Sequence, residues 1–199
     1  FNQTVEVNPQ YDKGWFSLGL NYQKNGDINE ALSSLDKAIE VNPSYAKAIA
    51  QKGKIYMQEA DFELAENSFN QAIQVDPSYV SAYIDLGQIL NAQERWDEAY
   101  NSLSTATALD ASKNKAWFLL AQSQNAKGSC DEAKESSRVA LDLKSDYAPA
   151  FFELGLSEVC LGNKTAALAA FENARKNRTW RKNAEYEIDK IKNPEKYQQ

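Results

Sequence analysis

The sequence predicts an all-α fold, an α-solenoid of helix-turn-helix units, and three observations carry that prediction. The first is a 34-residue period. With Asp12 as column 1 of a 34-residue frame, column 20 holds Ala31, Ala65, Ala99, Ala133 and Ala167, and column 27 holds Ala38, Ala72, Ala106, Ala140 and Ala174. Column 8 reads Gly19, Gly53, Gly87, Ala121 and Gly155. A small side chain returning at one place in every unit lets two helices approach closely there, so the chain stacks units and does not fold around one closed core. The second observation is that the apolar residues between these positions keep helical spacing. The third is that cap and stop residues recur at the ends of each helical interval.

Residues 1–11 read as the end of a truncated preceding unit, because Phe1, Thr4 and Pro9 fall in the columns of Leu35, Ala38 and Pro43. Five units follow, 12–45, 46–79, 80–113, 114–147 and 148–181. In each, helix A is expected to begin after a polar cap in column 33 (Ser44, Ser78, Ser112, Asp146), which can accept from orphan backbone N–H groups. Helix A stops near Gly26, Gly128 and Gly162, residues that tolerate the left-handed conformation. Helix B follows Asp27, Asp61, Ser129 or Asn163, with Asp27-x-x-Glu30 and Ser129-x-x-Glu132 as capping boxes. Trp180, Ala184, Ile188 and Ile191 form one stripe of a closing helix over 180–192, which Asn193-Pro194 ends ahead of a short tail, 193–199. The unbroken phase leaves no room for a linker, so the whole reads as one solenoid.

The residues around the small columns carry a family resemblance. Trp15-x-x-Leu18-Gly19-x-x-Tyr22, followed by Ala31, Leu35, Ala38 and Pro43, resembles the tetratricopeptide repeat. That resemblance implies a right-handed superhelix whose A helices line a concave face at columns 2, 5, 6, 9, 12 and 13. It also implies a binding role toward other proteins.

Composition narrows the function classes. No His is present, which removes the commonest general base and metal ligand. There is no phosphate-cradling glycine loop, and the carboxylates lie where solvated helix faces need them. The chain therefore reads as a non-catalytic protein without cofactor or metal. A net charge of −6 argues against nucleic acid. Residues 172–199 hold eight Lys or Arg against five Asp or Glu, and the favoured reading is cations gathered where the last helix B ends, not a membrane contact. Cys130 and Cys160 are not spaced as a metal or redox motif. Both fall toward the A–B turn of neighbouring units, which leaves a bridge between them open; two free thiols are the favoured reading, since Cys130 shares the core column of Ile28, Phe62 and Trp96.

A binding surface remains, and its candidate residues follow from the concave columns that the resemblance implies. Column 5 reads Phe16, Ala50, Ile84, Phe118 and Phe152, with Leu20 and Leu156 beside it. An apolar row on a face that meets water points to a ligand site; the competing reading is packing between neighbouring helices. Lys13, Lys47 and Lys115 occupy column 2 and Lys54 lies nearby, while Gln88 and Gln122 could bond a peptide backbone. The expected partner is a protein or peptide segment with apolar anchors and acidic residues. A carboxylate clamp of the kind that grips chaperone tails in some family members would need Lys and Asn where Phe16 and Leu20 stand, and is not expected. The alternatives are a subunit that self-assembles by stacking through its open N-terminal repeat, and a recruiting segment of a larger enzyme.

Unit 4 departs from its siblings. Ala121 replaces Gly, Gln124 replaces Tyr22 and Tyr56, Ser137 replaces Leu35, Phe69, Leu103 and Phe171, and Ser145 replaces Pro. Either another group fills the volume or the unit is a soft joint. In unit 5, Glu158 and Lys164 stand in columns that are apolar earlier, as expected near the end of a stack.

Overall fold

The computed structural model describes residues 7–197; Phe1 and Thr4, read above as part of a preceding repeat, lie outside them. Eleven α-helices run through the described residues: α1 (Asp12–Asn25), α2 (Ile28–Val41), α3 (Ala46–Gln58), α4 (Phe62–Val75), α5 (Val80–Ala92), α6 (Trp96–Leu109), α7 (Asn114–Ala126), α8 (Cys130–Leu143), α9 (Ala148–Cys160), α10 (Lys164–Arg175) and α11 (Arg181–Lys192). A single 3-10 turn, Pro194–Lys196, follows. The chain divides into two compact units, Phe1–Ile89 and Leu90–Gln199.

In the first unit α1 packs on α2, α2 on α3, and α3 on α4. The small columns do what their periodicity requires. A Cβ on Gly19 would lie 3.0 Å from Leu35, and one on Gly53 would lie 2.8 Å from the ring of Phe69. Columns 8 and 24 are thus a matched pair in which the glycine admits a large side chain from helix B. Leu35 and Phe69 are fully buried. Trp15 works at the edge of this core, donating from its indole N–H to the Pro9 carbonyl at 2.8 Å and so fixing the preceding turn to α1.

The second unit repeats the arrangement through α7 to α10, with α11 packed on α10. Here a Cβ on Gly155 would lie 2.4 Å from the ring of Phe171. Ala184 and Ile188 of α11 join Phe171, Ala167 and Ala174 in one cluster. The fourth repeat breaks the pair on both sides, with Ala121 for glycine and Ser137 for Leu or Phe; both are fully buried. The added methyl on α7 fills only a fraction of the lost ring. The Ser137 hydroxyl and the Gln124 side-chain oxygen are buried without a hydrogen-bond partner among the described residues.

Four expectations are corrected. Cys130 and Cys160 are not free thiols but form a disulfide, with Cα atoms 6.1 Å apart; unit 4 and unit 5 bring together residues 30 apart in sequence. Glu158 is not a terminal surface residue. It is 4% exposed, takes an ion pair from Lys134 of α8 at 2.9 Å and accepts from Asn163 Nδ2 at 2.8 Å. Burial pushes its carboxyl up, but the Lys134 and Asn163 contacts outweigh that and hold it below the usual range. The column-33 residues do not cap with their side chains: Asn42, Asp76 and Asp110, two positions earlier, accept from the backbone N–H of Ser44, Ser78 and Ser112 at 3.1, 3.0 and 2.9 Å. These are Asx turns, which set the entry to helix A from outside it. Ser112 and Lys113 hold Asp110 down to about 2. For helix B, Asp61 caps through Leu64 N–H, whereas Asp27 and Ser129 make no side-chain cap bond.

The A–B turn needs a left-handed residue in all five repeats. Gly26, Gly128 and Gly162 supply it with φ of 88°, 76° and 78°, and Ala60 and Glu94 adopt it at 62° and 59°. Replacing Glu94 by Gly is expected to raise stability by about 0.5–1 kcal/mol, because relief of about 1–2 kcal/mol of left-handed strain exceeds the chain entropy that glycine adds. A lowered urea midpoint for Glu94→Gly would contradict the strain argument.

Candidate protein-interaction surface

In the first unit the column-5 residues are mostly packing residues. Phe16 is 5% exposed, Ala50 1% and Ile84 6%. The Phe16 ring is covered by Tyr45 of the same repeat, with centroids 5.3 Å apart, and by the Lys47 ammonium 5.1 Å from its centroid. Burial, followed by the nearby Asp12 carboxylate, pushes the Tyr45 phenol up. Leu20 stays 37% exposed, and Lys13 is exposed at the start of α1. Lys54 pairs with the buried Asp85 at 3.5 Å. Gln88 is half-buried, and its side-chain oxygen has no partner among the described residues.

In the second unit the same column remains partly open. Phe118 and Phe152 are half-buried and both lie against Trp180, with centroids 6.4 and 5.0 Å away. Tyr147 meets Phe118 edge-on at 5.6 Å, and Phe171 backs Phe152 at 5.4 Å. Leu156 packs against the Phe171 cluster. Lys115 and Gln122 stand half-buried on α7. Trp180 occupies column 33, where the other repeats carry Ser or Asp. Its position in the closing helix's stripe concealed that it also reaches the rings of two A helices.

Columns 6, 9 and 12 carry a polar ladder between successive A helices that reading column 5 missed. Gln51 Nε2 donates to Gln23 Oε1 at 2.6 Å. Asn91 Nδ2 donates to the Leu119 carbonyl at 2.9 Å and to Gln122 Oε1 at 3.1 Å. Asn125 Nδ2 donates to both the carbonyl and the carboxylate Oε2 of Glu153, each at 2.9 Å. The recurring signal was present in the sequence, since column 12 holds Gln23, Asn91 and Asn125 and column 6 holds Gln51, Asp85 and Glu153. Glu153 is 3% exposed; burial pushes its carboxyl up to about 7 against the opposing pull of the Asn125 bond. The Asn91 and Asn125 side-chain oxygens are buried without partners among the described residues. No group of three or more His, Cys, Asp or Glu placed to hold a metal ion occurs among the described residues.

The profile of the tetratricopeptide repeat matches residues 56–123 and 13–45. The solved structure of YrrB, described as a tetratricopeptide repeat protein with an unusual peptide-binding site, superposes with a TM-score of 0.76 at 21% identity, covering 93% of this chain and 97% of that one. PilW, described as a widely conserved type IV pilus biogenesis factor, gives 0.77 at 20% identity over 90% and 85% of the two chains. MamA gives 0.72 at 22% over 92% and 94%. No curated protein matches the sequence. The chain belongs to the tetratricopeptide repeat family, an all-α helical-repeat scaffold for protein interaction. Among the described residues no helix is long and apolar enough to cross a membrane.

Proposed function

We propose that the chain is a non-catalytic adaptor that binds an extended protein segment on the A-helix face of its second unit. The observation that carries this reading is the contrast within column 5: Phe16, Ala50 and Ile84 are buried, whereas Phe118 and Phe152 stay partly open beside Trp180. Half-exposed aromatic rings offer large contact area at low entropic cost and are the usual energetic centres of interfaces. Gln122 supplies hydrogen bonds to a peptide backbone, and Lys115 favours acidic residues beside the apolar anchors. The remaining inner-face residues, Lys13, Leu20, Lys47, Lys54 and Gln88, belong to the first unit and form a second, more polar part of the proposal. That YrrB is described as having a peptide-binding site supports a peptide as the ligand class.

The test uses a panel of short peptides carrying apolar anchors about three residues apart, the spacing set by roughly 3.3 Å per extended residue, with Asp or Glu between them. Phe118→Ala is expected to weaken the best binders at least tenfold while lowering fold stability by no more than about 1–2 kcal/mol, since the ring is only half-buried. Affinity is expected to fall as salt rises. A large stability loss with unchanged affinity would assign Phe118 to the core and remove the site.

A further inference from the structure

The disulfide joins the fifth repeat to the fourth, the repeat in which Ala121 and Ser137 replace the glycine and the large side chain of the matched pair. Cys130 is the first residue of α8 and Cys160 the last of α9. The segment they close contains Ser137, fully buried with an unpartnered hydroxyl, and begins just after Gln124, whose oxygen is also unpartnered. In other repeats the matching column holds Leu35, Phe69, Leu103 or Phe171, each fully buried. The covalent tie thus holds the start of the same helix whose middle lacks the buried side chain that sibling repeats carry. The Lys134–Glu158 ion pair at 2.9 Å is a further α8–α9 link.

We propose that the Cys130–Cys160 bond is a redox-sensitive tie that keeps the fourth repeat closed, and that its reduction by a dithiol releases α8 from α7 and α9. Cys160 is exposed whereas Cys130 is 7% exposed, so attack falls on Cys160. A thiolate of the donor forms a mixed disulfide with Cys160 Sγ, and the S–S electron pair leaves with Cys130, which takes up a proton. The donor's second thiol then displaces Cys160, which is protonated in turn. The donor is oxidised to its disulfide, and the protein receives two electrons and two protons as two thiols. The Gly128 carbonyl, 3.2 Å from Cys130 Sγ, is placed to accept the new S–H. Once free, α8 has no Leu or Phe in its column-24 position to hold it.

Amide exchange of the intact chain, followed by mass spectrometry before and after equilibration with dithiothreitol, tests this. Closing a loop of about this length is worth roughly 3–4 kcal/mol, so reduction is expected to raise opening of 122–143 about 100- to 1000-fold and leave 12–75 unchanged. Cys130→Ser with Cys160→Ser is expected to match the reduced protein. Ala121→Gly with Ser137→Leu, which restores the sibling pair, is expected to suppress most of the reduced-state increase. Unchanged exchange over α8 on reduction, an equal rise throughout the chain, or two alkylatable thiols in protein purified without reductant would each overturn the proposal. So would failure of the restored pair to slow α8 in reduced protein whose native helicity is intact.

Discussion

Phe171→Ala is expected to lower the stability of the second unit by about 3–5 kcal/mol, the cost of removing a fully enclosed aromatic ring. Phe171 is 0% exposed, and its ring lies 2.4 Å from the point where a Cβ on Gly155 would stand. Gly155→Ala alone is therefore expected to cost about 1–3 kcal/mol through overpacking, despite the roughly 1 kcal/mol that alanine gains in helix propensity. The double substitution Gly155→Ala with Phe171→Ser reproduces the pair that the fourth repeat carries naturally. If columns 8 and 24 are complementary, its cost falls below the sum of Gly155→Ala and Phe171→Ser by about 0.5–3 kcal/mol. Urea denaturation of the three variants gives the cycle. Strict additivity would mean that the two columns do not share a space and that Ala121 does nothing for Ser137.

Glu153→Gln is expected to stabilise the protein at pH 8 by about 1–3 kcal/mol and to change it far less at pH 5. The carboxyl is pushed up from 4.5 to about 7 by burial. Between those values the folded state binds a proton that the unfolded state has released, so stability falls with rising pH through that window. The favourable contribution is complete below the unfolded value and lost above about 7, a difference of roughly 3 kcal/mol at 1.36 kcal/mol per pKa unit. Gln keeps the shape and can still accept from Asn125 without carrying charge. With no His in the chain, few other side chains change charge in this window, and Lys134 and Asn163 hold Glu158 low and ionised across it. Equal effects of the substitution at both pH values would show that Glu153 does not titrate between them.

The helix pairs were legible because their signals are local and repeated. Alanine in columns 20 and 27 and glycine in column 8 each state a close approach, and five copies average out exceptions. The interaction surface was less legible because each column-5 ring is judged by what comes to cover it. Phe16 is covered by Tyr45 and Lys47, while Trp180 meets Phe152 of its own repeat and Phe118 of the preceding one. The disulfide stayed an open alternative for a similar reason: a separation of 30 residues does not fix a distance until α8 and α9 are placed side by side. Glu158 looked like an end effect because its partner Lys134 sits one repeat earlier. The left-handed turns at Ala60 and Glu94 were concealed by residues that seldom adopt that conformation.

The polar ladder bears on whether such repeats can be recombined. Asn91 and Asn125 each reach a carbonyl 28 positions ahead, so a donor in one repeat is written for the acceptor of its successor. Exchange the fourth and fifth repeats, and Val159 takes the place of the donor facing Leu119, leaving that carbonyl without the bond Asn91 now gives it. The helices would still stack, since their small columns are interchangeable. The order would not be neutral, because a buried carbonyl without a donor costs about 1–3 kcal/mol. The small columns make the modules alike, and the ladder makes their succession specific.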